Sequence, residues 1–545
     1  VALGFALSHL FDPNDYKDEI RQIARDKAHI ELTLNGDIGW SLFPWLGLEL
    51  HDASVATLAQ PTQPFADLQM LGLSVRVLPL LRKEVQMSDV RVEGLNLRLN
   101  RDKDGHGNWQ DIGKPAPVAA TTQTPATAET TPASKPDSVS QPLKLDIDSL
   151  TVNNARVEYN DEQNGKQFSA ESIQLSTGPI HEATSTPVKL TAFLGTNQPV
   201  MRVKTEVDGK LRFDRVLKLY QFDYMKVVGE ASGEPLQGKT MTFAAQGQIL
   251  VDLAANIAEW SGLKISANQM RALGELKVNE LDKTPQISGG LSIAQLDLAK
   301  FLDSIGHPLP NMAPGSLSKV EVVTRLSGTP NSMAFDELNL KVDDSTFTGR
   351  IAVEDFAKQA LRIQLKGDTF NADRYMPAKS EQASGATAAR KAEVQSSEAG
   401  ALAASGDTPL PDAPTKSGWS TAKIIPVTRL KALDLQADIS FGQLTLTQLP
   451  IQNAVLKAVS KDGLLTLQNL SGNLYKGNFA ANGSLDVRPM LPMAALQTRI
   501  TNVPVDKILQ SQGQKPPVTG LLTLNSNVTG SGDSQSALIQ STNGT

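Results

Sequence analysis

The chain has no cysteine in 545 residues. That excludes disulfides, thiolate metal sites and cysteine nucleophiles, and it suits a compartment where a stray thiol would be oxidised. Aromatic residues are scarce, at 5% of the chain, and the six histidines at 9, 29, 51, 106, 181 and 307 share no local motif. The sequence holds no H-E-x-x-H, no G-x-S-x-G, no Walker-type glycine loop and no G-x-G-x-x-G following a strand pattern. Hydrolases, metalloenzymes and nucleotide-dependent enzymes thereby lose their usual residues, so neither an enzymatic activity nor a cofactor is expected. A basic stripe is missing too. Lys plus Arg number 52 against 58 Asp plus Glu, a net charge of −6 spread along the chain, which argues against nucleic acid as a partner.

Apolar runs are short. The longest at the N-terminus, residues 1–11, would span roughly 16 Å as a helix, about half of a ~30 Å hydrocarbon core. It reads as the tail of a transmembrane helix; a short buried helix or strand is the other reading, and a signal peptide fits poorly because no small-residue cleavage pattern follows. Asp12-Pro13 then starts a helix, since Asp caps free N–H groups and Pro is harmless at the first helical position. Tyr16, Ile20, Ile23 and Lys27 continue it to about Ala28 as a short amphipathic helix.

From there on the pattern is β. Apolar residues alternate with polar ones at Ile30, Leu32 and Leu34, at Leu95, Leu97 and Leu99, at Met201 and Val203, and at Leu444 and Leu446. Asn35-Gly36, Asp104-Gly105, Asn164-Gly165, Asp208-Gly209, Asp462-Gly463 and Asn482-Gly483 predict hairpin turns, so most sequence neighbours should pair antiparallel. Further helix is expected only in short pieces such as residues 214–224 and 298–305. Residues 114–141 and 377–418 consist largely of Ala, Thr, Ser, Pro, Glu and Gln, which offer too little burial to offset ordering, and they read as disordered linkers or loops. The organisation read from the sequence is therefore residues 1–11, 12–113, 142–376 and 419–545 separated by those two linkers, a length that exceeds one compact core.

One stretch repeats. Val85, Met87, Val90, Val92, Leu97, Leu99 and Gly105 return 60 residues later as Leu145, Ile147, Leu150, Val152, Val157, Tyr159 and Gly165. The apolar parity switches at matching places in both copies, which predicts a bulge or turn at each. Shorter echoes occur at Leu465, Leu467 and Leu470 and at Ile265, Ala267 and Met270. Repetition of this kind favours an elongated sheet that grows by added hairpins. Asp102-Lys103-Asp104-Gly105 begins like a calcium loop but runs into His106 and lacks the closing Glu, so it reads as a plain turn and no metal site is expected. Trp40, Phe43 and Trp45 form the one aromatic cluster; they suit a membrane interface or an ordinary core equally.

Several segments in order resemble the AsmA family, membrane-anchored periplasmic proteins of Gram-negative bacteria. They are Phe11-Asp-Pro-Asn-Asp-Tyr-Lys-Asp-Glu-Ile20, Asn35-Gly-Asp-Ile-Gly-Trp-Ser-Leu-Phe-Pro44, Val77-Leu-Pro-Leu-Leu81, Val92-Glu-Gly-Leu-Asn-Leu97 and Asp104-Gly-His-Gly-Asn-Trp109, then Asp462-Gly-Leu-Leu-Thr-Leu467, Asn473-Leu-Tyr-Lys-Gly477 and Pro517-Val-Thr-Gly520. The closing segment such proteins carry does not follow, so the resemblance implies further chain beyond residue 545. It also implies a mainly β fold: an elongated, twisted antiparallel sheet forming an open, taco-like apolar groove, with a short N-terminal helix and a few short helices. The implied place is the inner membrane, crossed once, with a periplasmic body. The implied role is passage of phospholipids between inner and outer membranes, or support of outer-membrane assembly, with the inner membrane and an outer-membrane or periplasmic protein as further partners.

On that reading the groove is lined by Val85, Met87, Leu97, Leu99, Leu145, Ile147, Val157, Tyr159, Leu465 and Leu467. From alternation alone, the same residues would fit the dry interior of closed β-sandwiches in a structural or assembly protein. Roughly twenty-five strands at ~4.8 Å would give a groove on the order of 100 Å long.

Overall fold

The computed structural model describes residues 12–41, 47–76, 87–117, 146–377 and 419–545. It is mainly β, with a short N-terminal helix and a few short helical pieces. The predicted N-terminal helix is present: a 3-10 turn over Pro13–Tyr16, whose Asp12 carboxylate accepts from the Asn14 amide, leads into α1 (Lys17–Ala28). Acidic Asp18 and Glu19 open α1 and basic Arg25 and Lys27 close it, as the helix dipole favours. The chain forms two compact units, Val1–Asp282 with Ser304–His307, and Lys283–Asp303 with Pro308–Thr545.

In the first unit, β1 (Ile30–Leu34) and β2 (Ile38–Ser41) both run antiparallel to β3 (Gly47–Thr57). Asn35-Gly36 is therefore no hairpin, contrary to expectation. It is a jog between two halves of one edge strand, where a Cβ on Gly36 would lie 2.4 Å from the His51 carbonyl oxygen. β3 pairs with β4 (Ala66–Val75), and β4 pairs with β5 (Met87–Glu93) and β6 (Asn96–Arg101). After β7 (Asp146–Ile147) come β8 (Ser149–Asp161) and β9 (Lys166–Thr177), then β10 (Ile180–His181) and β11 (Thr186–Asn197). The unit continues by simple antiparallel hairpins through β12 (Val200–Asp214), β13 (Leu219–Gly233), β14 (Thr240–Asp252), β15 (Ile257–Ala267) and β16 (Met270–Asn279).

The helix expected over residues 214–224 is absent. Two long strands meet there in a turn that Asp214 closes by accepting from the Leu217 amide, and Val216 and Leu217 project into solvent. Strand pairing on both sides overrides the local helical spacing. The other predicted piece exists, as α2 (Leu298–Ser304).

The second unit has β17 (Gln286–Leu296), β18 (Val320–Thr329), β19 (Ser332–Val342), β20 (Ser345–Val353) and β21 (Ala360–Asn371), antiparallel in succession. After α3 (Val427–Ala432) follow β22 (Asp434–Leu446), β23 (Leu449–Lys461), β24 (Leu464–Leu474), β25 (Gly477–Asp486) and β26 (Met493–Pro504), again antiparallel. Then come α4 (Val505–Ser511), β27 (Leu521–Ser531), α5 (Gln535–Gln540) and β28 (Asn543–Gly544). Of the other predicted turns, Asp104-Gly105, Asn164-Gly165 and Asp462-Gly463 are turns, whereas Asp208-Gly209 lies inside β12 and Asn482-Gly483 inside β25. Those two glycines serve close approach: a Cβ on Gly483 would lie 2.2 Å from the Ala495 carbonyl oxygen, and one on Gly209 would lie 2.6 Å from the Phe222 ring.

Two joins among the described strands are parallel. β5 and β6 run parallel to β8, and β21 runs parallel to β22. A parallel neighbour requires the chain to travel back the length of a strand, a crossover of a dozen or more residues. Residues 114–141 and 377–418, the compositional linkers, lie in those two connections; apart from 114–117 and 377 they fall outside the described residues.

The first parallel join explains the repeat. Every pair along it is offset by 60: Val90 with Leu150, Val92 with Val152, Leu97 with Val157 and Leu99 with Tyr159. The shared change of parity is also real, since Gly94 and Asn154 both adopt left-handed φ, 64° and 50°. Similar bulges recur at Asp52, Tyr224, Gly262, Glu337, Asn453 and Asn502, each left-handed and each followed by a buried apolar residue. Each shifts the alternation by one, so apolar residues five apart on a bulged strand share a face. The echo at Leu465, Leu467 and Leu470 contains such a shift. The echo at Ala267 and Met270 does not, because the chain reverses there in a hairpin.

Candidate functional site

Following direct cross-strand partners across the first unit yields a row that never meets a polar residue. It runs Ile38, Leu50, Leu71, Val92, Val152, Leu175, Leu190, Val207, Val227, Ala245, Ile265, Ala272, from β2 to β16. A second row on the same face runs Leu32, Val55, Ala66, Leu97, Val157, Ala170, Leu194, Val203, Ala231, Met241. With strands ~4.8 Å apart, the longer row extends about 50 Å.

The second unit carries its own row: Gly289, Leu326, Phe335, Ile351, Ile363, Ala437, Ala458, Leu467, Gly483, Leu496, Val528. β12 shows how one strand builds such a face. Met201, Val203, Val207, Leu211 and Phe213 point one way, while Arg202, Lys204, Glu206, Asp208, Lys210 and Arg212 point the other and are exposed.

Burial separates an open face from a sandwich interior. In a dry interior the large side chains would be the most buried. In the longer row only the two terminal residues, Ile38 and Ala272, are buried, and the ten between them keep partial solvent contact. In the second row the buried members are alanines, whereas Leu32, Leu97, Val157, Leu194 and Val203 are partly exposed. Leu496 in the second unit is 41% exposed. True core forms along one margin of the second unit, where Ile451, Ala454, Leu474 and Val503 pack with Phe441, Leu444, Phe479 and Ile508 of α4. Beside it Phe370 stacks on Phe441 and on Tyr375, at 5.6 and 5.1 Å between ring centroids.

The expected lining residues fall in different places. Leu97, Val157 and Leu467 lie in the rows, and Leu99 and Tyr159 pair with each other next to them, Tyr159 also facing Phe168, which was not among the expected residues. Leu465 pairs with Ser460 and Leu485, and Met87 opens β5. Ile147 sits apart, paired with Ile180 in a two-stranded ladder of β7 and β10. Trp40 lies in β2 opposite Leu48. Val85, Leu145, Phe43 and Trp45 lie outside the described residues. Sequence reading missed Leu175, Leu190 and Val227. The signal was the parity of each strand corrected by one at every bulge.

Several charged groups outside the rows make local contacts. Asp102 accepts from the Asp104 and His106 amides at 3.0 and 2.9 Å, closing the plain turn expected there. Asp146, Asp148 and His181 lie close enough to share a cation, but Arg76 pairs with Asp148 and His181 Nδ1 lies 2.8 Å from Asp146 Oδ1. Burial pushes the Asp343 carboxyl up, yet hydrogen bonds from the Tyr375 hydroxyl and the Leu317 and Lys319 amides outweigh it and hold its pKa below the usual value. No helix among the described residues is long and apolar enough to cross a membrane.

The family model that matches this chain is that of the AsmA family, over residues 1–545. Protein AsmA of Escherichia coli (strain K12) is 21% identical over 530 residues, 95% of this chain. The chain spans 66% of the length of that curated relative. No solved structure matches it.

Proposed function

Because the chain belongs to the AsmA family, we propose that it serves envelope assembly as a periplasmic phospholipid carrier tethered to the inner membrane, whose unbroken apolar rows take acyl chains while headgroups stay in water. The observation that supports this is the longer row of the first unit, twelve directly paired apolar residues of which ten keep solvent contact. A phospholipid with about 30 chain methylenes at ~0.8 kcal/mol each faces roughly 24 kcal/mol if its tails enter water. A face that offers apolar contact at every ~4.8 Å step removes that penalty without covalent chemistry or a cofactor. No charged side chain interrupts the rows, so binding should follow chain burial and depend little on headgroup. Outer-membrane or periplasmic proteins would receive the lipid.

A photoreactive residue placed at Val207, facing the row, and at Glu206, facing the opposite way, tests the reading against labelled phospholipid. Crosslinking at 207 and not at 206 is expected. Equal yields, or none at 207 in folded protein, would overturn it and leave the reading as an assembly protein of closed sandwiches.

A further inference from the structure

Apart from the apolar rows, the second unit gathers exposed apolar side chains at one end of its strands. Residues 487–492 connect β25 to β26, and there Met490 is 100% and Leu491 58% exposed; Met493, the first residue of β26, is 57% exposed. Two further segments join them. The Gly532 amide donates to the Pro492 carbonyl, and the Ile424 amide donates to the Asp533 carbonyl, each at 2.9 Å. That brings Ile424, 55% exposed, and Trp419, 47% exposed, to the same end. Pro492 is fully buried, so the connection is pinned at its base while Met490 and Leu491 project. Scattered exposed apolar residues are ordinary, but five at one end of a unit with a Trp among them mark an interaction surface.

Asp533 and Asp486 also lie at this end, where they pair with Lys423 and Arg488, but the segment beside the cluster carries charge of one sign. Residues 419–433 contain Lys423, Arg429 and Lys431 and no acid. Lys423 is held by Asp533 at 3.2 Å, whereas Arg429 and Lys431 are exposed and pair with no carboxylate among the described residues. Lys431 also borders the turn: its Cγ lies 3.6 Å from where a Cβ on Gly463 would be, next to Arg488. Projecting Met and Leu, a Trp at their side and unpaired cations behind them are what a shallow interfacial contact uses. A bilayer accepts protruding side chains without a shaped pocket, and its anionic headgroups complement the cations.

We propose that this end of the second unit docks on an anionic lipid bilayer, with Met490 and Leu491 entering the headgroup boundary and Arg429 and Lys431 held by lipid phosphates. This surface differs from the apolar rows, and the proposal does not rest on lipid passage along them.

The absence of cysteine makes the test site-specific. In the full chain, Met490→Cys carries an environment-sensitive NBD label, and Asp344→Cys, at a position 95% exposed, serves as the control. Vesicles of phosphatidylglycerol mixed with phosphatidylcholine should blue-shift the label at 490 and raise its intensity several-fold, with no change at 344. About 1 M salt should reverse it, since the Debye length falls to ~3 Å. Each cation near an anionic surface favours partitioning roughly five-fold, so R429E/K431E, at exposed positions that circular dichroism should report as folded, lowers partitioning about 25-fold or more. No response at 490, equal responses at 490 and 344, or an equal response to pure phosphatidylcholine would each overturn the proposal. So would a response at 490 that survives R429E/K431E unchanged, or one that appears only with a protein partner.

Discussion

Leu97 and Val157 are 60 residues apart in sequence and directly opposite each other in space, as paired residues of two parallel strands. The same offset holds for Asn100 and Asn160, whose side-chain amides hydrogen-bond at 3.1 Å. The repeated sequence is thus a repeated strand laid beside its copy, and its apolar residues extend the rows by one strand.

Replacing Val157 by Asp tests how open that row is. In a sealed interior a buried charge unfolds the domain or costs well above 4 kcal/mol. On a partly exposed face the loss is about that of the methyl contacts, ~1–2 kcal/mol. Urea denaturation should show the smaller value, with the native circular dichroism spectrum retained. A failure to fold would mark the row as a dry core.

Two glycines in strands should respond oppositely to Ala. At Gly483 the new Cβ meets a carbonyl oxygen at 2.2 Å, so β25 and β26 must shift apart at a cost of about 1–3 kcal/mol. At Gly290 in β17 nothing lies within 4 Å, and restricting the unfolded chain should leave stability unchanged or raise it by ~0.4–1 kcal/mol. Melting temperatures of the two variants compared with the parent decide it.

Asp343 ties the start of β18 to Tyr375. Its folded pKa is depressed, so the stability it contributes is present above the unfolded value near 3.8 and is lost as pH falls through the folded value. Tyr375→Phe removes one of the bonds that depress it, at about 1 kcal/mol. The variant's stability deficit should shrink as pH drops below 3.8. No deficit at any pH would show that Tyr375 acts through packing on Phe370 alone, since Phe keeps the ring.

His106 behaves in the opposite sense. Its Nε2 lies 2.8 Å from Asp111 Oδ2, and that hydrogen bond raises the imidazole pKa above 6.5. The pair therefore contributes fully below 6.5 and fades as pH rises through the raised folded value. An NMR titration should give a midpoint above 6.5 that returns toward it in Asp111→Asn. An unchanged midpoint in that variant would refute the assignment.

Much of the fold was legible because alternation and parity are local. The amphipathic helix ending at Ala28, the strand content, and the paired bulges at Gly94 and Asn154 followed from residue spacing. Asp208-Gly209 and Asn482-Gly483 misled because a glycine that lets a neighbouring backbone or ring approach looks, in one dimension, like a glycine that turns the chain. Residues 214–224 misled for a related reason: Val216, Leu217 and Tyr220 fit a helical spacing, and only pairing with strands beyond the segment decides otherwise. The rows were legible in fragments, at Leu97, Val157 and Leu467. Their continuity through Leu175, Leu190 and Val227 depends on cross-strand register, which bulges reset and local spacing does not reveal.

The scarcity of parallel joins bears on how the chain is made. Nearly every strand finds its partner in the segment just synthesised, so each hairpin can settle on the previous one as the polypeptide emerges, with little loop entropy to overcome. Among the described strands, only β8 and β22 require the nascent chain to reach back past a long intervening stretch. Those two moments, rather than the many hairpins, should set the pace of maturation.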